Sequence, residues 1–194
     1  IGEATARISS WSLVAANFGI GLETSFYTWG LPVTYPDGHQ AHGYITGSSH
    51  PLHFIDQNGA LVPVYQEATT LIDEALVTTD FSEHLSPAAA TAVSQQIIDN
   101  SQAGDYAAVV AQFHVDYFGF SDVNTWATGT MNYARSLGIP MWTAERWLNY
   151  TTNRHATAIT GLAWSSASRQ LSFSVAVPAG SETQSLALPQ RFGG

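Results

Sequence analysis

Four of the chain's seven histidines fall in one stretch, "GHQAHGYITGSSHPLHF", residues 38–54. His39, His42, His50 and His53 give the spacing H-x2-H-x7-H-x2-H. Neutral imidazole is a good ligand for zinc, copper or nickel, so a metal site is chemically available here, with His39 and His42 as its first candidates. The spacing matches no common zinc pattern, however, and no Cys or Glu stands nearby. The plain alternative is a loop whose histidines only make hydrogen bonds.

A second constellation lies in "AQFHVDYFG", residues 111–119. If the apolar run before it is a strand, the chain ends that strand in His-x-Asp. Period-two alternation then puts His114 and Asp116 on one side. Histidine titrates near neutrality, so His114 is a candidate general acid or base, with Asp116 as its orienting partner. The alternative is a polar strand end with a hydrogen-bonded imidazole. Ser48 or Ser49 could serve His114 as a nucleophile, but "ITGSSHP" lacks the G-x-S-x-G elbow and reads better as a turn. Aromatic residues crowd the same regions, and Trp29, Tyr44 and Tyr117 could stack on the C–H face of a sugar. Core packing is the competing account for such rings. Asn149-Tyr150-Thr151 is a glycosylation sequon, but it falls within an expected helix.

These groups must be carried by a folded scaffold, and the composition allows one. The chain has 194 residues, 45% of them hydrophobic and 12% aromatic, enough for a globular core. Its six basic residues are all Arg, against fifteen acidic ones, for a net charge of −9. That balance excludes nucleic acid and anionic membranes as partners, because little here could neutralise phosphates. No apolar run is long enough to span a bilayer. The absence of Cys excludes disulfides and thiolate metal sites. Low total charge with many small polar and aromatic residues suits a secreted, carbohydrate-facing protein. The opening at Ile1, without a signal sequence, suits a mature product or an excised piece.

Periodicity predicts the elements. A helix is expected over 3–18, closed by Gly19, followed by a strand over 19–29. Residues 30–51, rich in Pro and Gly, form a long loop. Residues 52–66 read as two strands around an Asn58-Gly59 turn, and 67–76 as a helix. A helix over 87–104 opens on Pro87 and closes on Gly104. A buried strand over 105–116, a helix over 123–138, a short strand over 139–143 and a helix over 144–153 follow. The tail, 157–189, alternates like three antiparallel strands. The strand–helix order from 105 to 153 signals an α/β fold with parallel strands, whose chemistry collects at the strands' carboxyl ends.

Four stretches in order, "FGIGLETSFYTWG", "GYITGSSHPLHFIDQNGALVPVYQEATTLIDE", "AQFHVDYFG" and "ARSLGIPMWTAERWLNY", resemble the C-terminal half of polysaccharide-deacetylase-like domains, which are distorted (β/α) barrels. The resemblance runs over roughly residues 10–165 and is strongest in 43–74 and 111–148. It implies a partial (β/α) barrel-like parallel sheet with helices over 1–155, and a β-rich antiparallel extension over 156–194. It also implies a secreted, metal-dependent carbohydrate esterase acting on acylated glycans, using a divalent ion such as zinc. His114 matches the strand-end acid of that family, and Asp116 an acidic neighbour. Under the resemblance His50 and His53 join Trp29, Tyr44 and Tyr117 as substrate contacts in a loop over the sugar.

The family's metal-binding Asp and His motifs have no counterpart in this sequence, and His53 stands where an orienting Arg is expected. The metal's ligands are therefore expected outside this chain, in a missing N-terminal half or another copy. The rival reading is a non-catalytic carbohydrate-binding or structural subunit of an extracellular assembly. A weaker one is an independent metalloprotein built on the loop histidines.

Overall fold

A computed structural model of the chain describes residues 14–27, 33–34, 40–41, 50–73 and 85–186. The fold is α/β, with parallel and antiparallel pairing, and no barrel closes among the described residues. The chain separates into two compact units that divide between Met141 and Trp142.

In the first unit, residues 14–17 are helical and the turn ends at Gly19, whose φ of 72° is the left-handed conformation that suits glycine. Strand β1 (Leu22–Tyr27) follows and pairs in parallel with β5 (Leu61–Thr69). β5 also pairs antiparallel with β4 (Leu52–Ile55), so the order is β1-β5-β4. The Asn58-Gly59 turn joins β4 to β5 as its residue types require. Gly59 takes φ 82°, and Asp56 accepts from the backbone N–H groups of Asn58 (2.8 Å) and Ala60 (2.9 Å). These bonds hold the Asp56 carboxyl below its ordinary range, the Ala60 bond contributing most. Two short strands, β2 (Val33–Thr34) and β3 (Gln40–Ala41), pair antiparallel inside the expected loop.

The sequence predicts a helix over 67–76, and the structure differs. β5 runs on to Thr69, and after Thr70 the chain continues as β6 (Leu71–Ile72), parallel to β7 (Ala111–Gln112). Pairing with β1 on one edge and β4 on the other outweighs the weak helical pattern of this segment. The consequence is a run from Gln66 to Asp73 in which every residue is buried, although five of them are polar. Thr70 links the two sheets. Its N–H and that of Leu71 both donate to Val110 O, at 2.9 and 3.0 Å, and its hydroxyl accepts from Val110 N.

Helix α1 (Pro87–Asn100) begins as its sequence directs, with Ser86 accepting from Ala89 N and Pro87 in the first turn. Its buried positions Ala90, Ser94, Ile97 and Ile98 lie at helical spacing. A π-type turn (Ser101–Asp105) closes it, with Gly104 at φ 157° and Tyr106 left-handed. The strand expected over 105–116 shrinks to β7 alone, because Val115–Gly119 turn into a 3-10 helix. Helix α2 (Ser121–Ser136) then buries Val123, Trp126, Ala127 and Thr130. Trp126 is the centre of the core: Leu71, Ile72, Ala90 and Ile97 surround it, and its Nε1–H donates to Ser94 Oγ at 2.9 Å. A smaller cluster of Ala15, Val62 and Val64 packs under the β1-β5-β4 sheet.

In the second unit, the strand expected over 139–143 is not formed. Thr143 instead caps helix α3 (Ala144–Ala156), accepting from Arg146 N. Of the three antiparallel strands expected in the tail, two exist among the described residues, the hairpin β8 (Ala158–Ser165) and β9 (Gln170–Ala176). Residues 177–186 continue without a ladder, and Pro178 removes one of the donors a third strand would need. Arg146 grips Glu182 in this tail through two bonds of 2.7 and 3.0 Å. No helix among the described residues is long and apolar enough to cross a membrane.

Candidate functional site

Strands β6 and β7 run parallel, with Leu71 opposite Ala111 and Ile72 opposite Gln112. Each therefore delivers the residues just past its end to the same place. Asp73 follows β6 and His114 lies two residues beyond Gln112. The Asp73 carboxylate takes both hydrogens that His114 offers on that side. Oδ2 accepts from the backbone N–H at 2.7 Å, and Oδ1 faces Nδ1 at 2.7 Å. Asp73 is fully buried, whereas the His114 side chain keeps 30% exposure. A carboxylate on Nδ1 sets the ring's orientation and makes Nε2 the nitrogen available for proton exchange.

The other edge of His114 is also furnished. Gln112 Nε2 lies 3.4 Å from His114 Nε2, and Gln112 Oε1 lies 3.5 Å from Thr69 Oγ1. The Thr69 hydroxyl donates to Thr24 O at 2.8 Å, so a polar chain crosses from β1 through β5 and β7 to the end of β6. The Tyr117 ring lies 5.1 Å from the His114 ring, brought back by the 3-10 turn. Glu23 and Glu67 are further buried carboxylates on the paired strands β1 and β5.

His114 and Tyr117 are thus together. The carboxylate on His114 is that of Asp73, while Asp116 sits exposed in the 3-10 turn. The period-two argument for Asp116 needs an extended chain, and the strand stops at Gln112. His53 lies on β4 and hydrogen-bonds across the hairpin, its Nδ1 2.8 Å from Val62 O, with its ring 4.0 Å from that of Tyr65. His50 is half-buried just before β4. Trp29, Tyr44, His39 and His42 lie outside the described residues.

Sequence reasoning missed Asp73, Gln112 and Thr69. The signal available was the polar content of "QEATTLID", unusual for a strand paired on both edges, but reading 67–76 as a helix hid it.

No family model matches the chain, and no curated protein or solved structure matches it.

Proposed function

We propose that the unit ending at Met141 is a hydrolytic domain of the polysaccharide-deacetylase type, acting on acylated glycans, with His114 as general acid and Asp73 as its holding carboxylate. The observation that carries this reading is the Asp73–His114 pair at the carboxyl ends of two adjacent parallel strands, where α/β folds assemble their chemistry. In acetamide hydrolysis, water adds to the carbonyl carbon, the C–N bond breaks, and the leaving nitrogen needs a proton. Nε2 of His114 can supply it by taking the proton the attacking water gives up and passing it to that nitrogen, while Asp73 stabilises the charge on the ring in between.

The glycan substrate and the partial (β/α) barrel rest on the resemblance. In that architecture β1, β5, β6 and β7 are staves of one incomplete barrel, completed by a missing half or another copy of the chain, and the protein works outside the cell. A divalent ion such as zinc belongs to the same reading. Among the described residues no group of three or more His, Asp or Glu side chains is arranged to hold one. The proton steps above accordingly use only the chain's own side chains.

The test is acetate release from N-acetylated oligosaccharides by the wild type, His114→Gln and Asp73→Asn. A general acid contributes about 10²–10⁴-fold, so both folded variants should lose that much. Undiminished release in both removes the pair from the mechanism.

The second reading, a non-catalytic glycan-binding module, has its own observation in the second unit. Trp147 and Tyr150 stack with rings 5.4 Å apart and 9° from parallel, and the Arg146 guanidinium lies 4.4 Å over Trp142. Flat rings beside a cation suit a sugar face. Glycan retention without acetate release, lost on replacing Trp142 by Ala, favours that reading.

A further inference from the structure

We infer that Gln112 is a positioning residue, whose side-chain amide partners the Nε2 edge of His114 whether or not that nitrogen carries a proton. The inference deepens the acid role of His114 and rests on it for its purpose, but its geometry stands independently.

An acid–base histidine must present Nε2–H in one step and a bare lone pair in the next. A carboxylate partner suits only the first state and an ammonium only the second. A primary amide suits both, since it carries a donor and an acceptor of nearly the same size. A half-turn of the terminal torsion exchanges the two with no change in outline.

The surroundings of Gln112 allow either orientation. With its NH2 toward His114, as placed, Nε2 accepts and His114 is neutral with its proton on Nδ1, facing Asp73. With its carbonyl toward His114, Nε2–H donates and the ring is charged. In that orientation the NH2 turns to Thr69 Oγ1. That oxygen can accept there, because the hydroxyl hydrogen points to Thr24 O at 2.8 Å. The hydrogen bonds then run in one direction from Gln112 to Thr69 to Thr24. At 3.4 Å, against 2.7 Å on the Asp73 side, the Nε2 contact is also one that a substrate atom can displace. Among the described residues Asp73 and Tyr117 also face the ring, and Asp116 stands exposed two residues on.

The experiment is 15N NMR of the His114 ring in the histidine-labelled full chain, assigned by the signal lost in His114→Gln and recorded above and below its titration. In the neutral wild type the ring should carry its proton on Nδ1, with Nε2 shifted as a hydrogen-bond acceptor. In Gln112→Glu the new carboxylate can only accept, so both ring nitrogens should stay protonated at a pH where the wild-type ring is neutral. In Gln112→Leu the Nε2 resonance should move away from its wild-type position while Nδ1 stays protonated. Ring shifts unchanged from wild type in both variants overturn the inference. So do wild-type Nε2 shifts that are those of an unbonded nitrogen on both sides of the titration, a result that needs no variant to fold. Because this readout is independent of acetate release, a chain with the expected spectra and no turnover sinks the hydrolase reading and leaves Gln112 in place.

Discussion

Removing the Asp73 carboxylate should separate its structural role from its chemical one. Asp73→Ala takes away both acceptors and leaves two donors of His114, the backbone N–H and Nδ1–H, without the oxygens now 2.7 Å away. Each unmet buried donor costs about 1–3 kcal/mol, so the pair costs about 2–6 kcal/mol. The 30% exposure of the His114 side chain lets water serve the ring, which brings the expectation to about 2–3 kcal/mol. Asp73→Asn keeps the volume and one oxygen. The backbone N–H has no alternative tautomer, so the amide oxygen should stay with it and the NH2 should face Nδ1. The imidazole answers by moving its proton to Nε2, at a cost of about 1 kcal/mol. Urea unfolding of the two variants reads the energies, and 15N NMR of His114 reads the tautomer. An Asp73→Ala variant within about 0.5 kcal/mol of wild type, or an Asn variant still protonated on Nδ1, refutes the reasoning.

Trp126 and Ser94 should behave as one unit. Ser94→Ala leaves the buried indole N–H unmatched and should cost about 1–3 kcal/mol, whereas Trp126→Phe combined with Ser94→Ala should cost less than the two single changes summed, as a double-mutant cycle in denaturant would show. Replacing His53 by Ala removes the bond to Val62 O and the tilted ring contact with Tyr65, and should lower stability by about 1 kcal/mol in urea titrations. Asp56 has a carboxyl pKa lowered by folding, so its contribution is complete above the ordinary carboxylate value and is lost as pH falls through the lowered one. Thermal unfolding followed across that acid range should show a shallower loss of stability in Asp56→Ala than in wild type.

Much of the scaffold was legible because local chemistry decided it. Gly19, the Asn58-Gly59 turn, Ser86-Pro87 and Gly138 each mark a boundary that the structure keeps within a few residues. The short strands were harder. β6 and β7 hold two residues each, and nothing in two residues has a period; their existence depends on a partner 40 positions away in the chain. His114 was visible by type and by its place after an apolar run. Its carboxylate was not, because Asp73 lies 41 residues earlier and reaches His114 only through the parallel pairing. Asp116, next but one in sequence, was the natural local candidate, and the 3-10 turn carries it to an exposed position instead.

The passage of one segment through two sheets, with only Thr70 between them, has a kinetic consequence. Most active-site carboxylates ride on loops that can open while the rest of the protein stays folded. Asp73 sits at the end of a buried run whose amides are held by β1 and β4 at one end and by Val110 and β7 at the other. Freeing it requires the β6–β7 pairing and the bonds to Val110 to part. The amides of Thr70 and Leu71 should therefore exchange with deuterium only when that pairing opens, and a protease should gain no access there before it does. The geometry that prepares His114 persists for as long as that pairing holds.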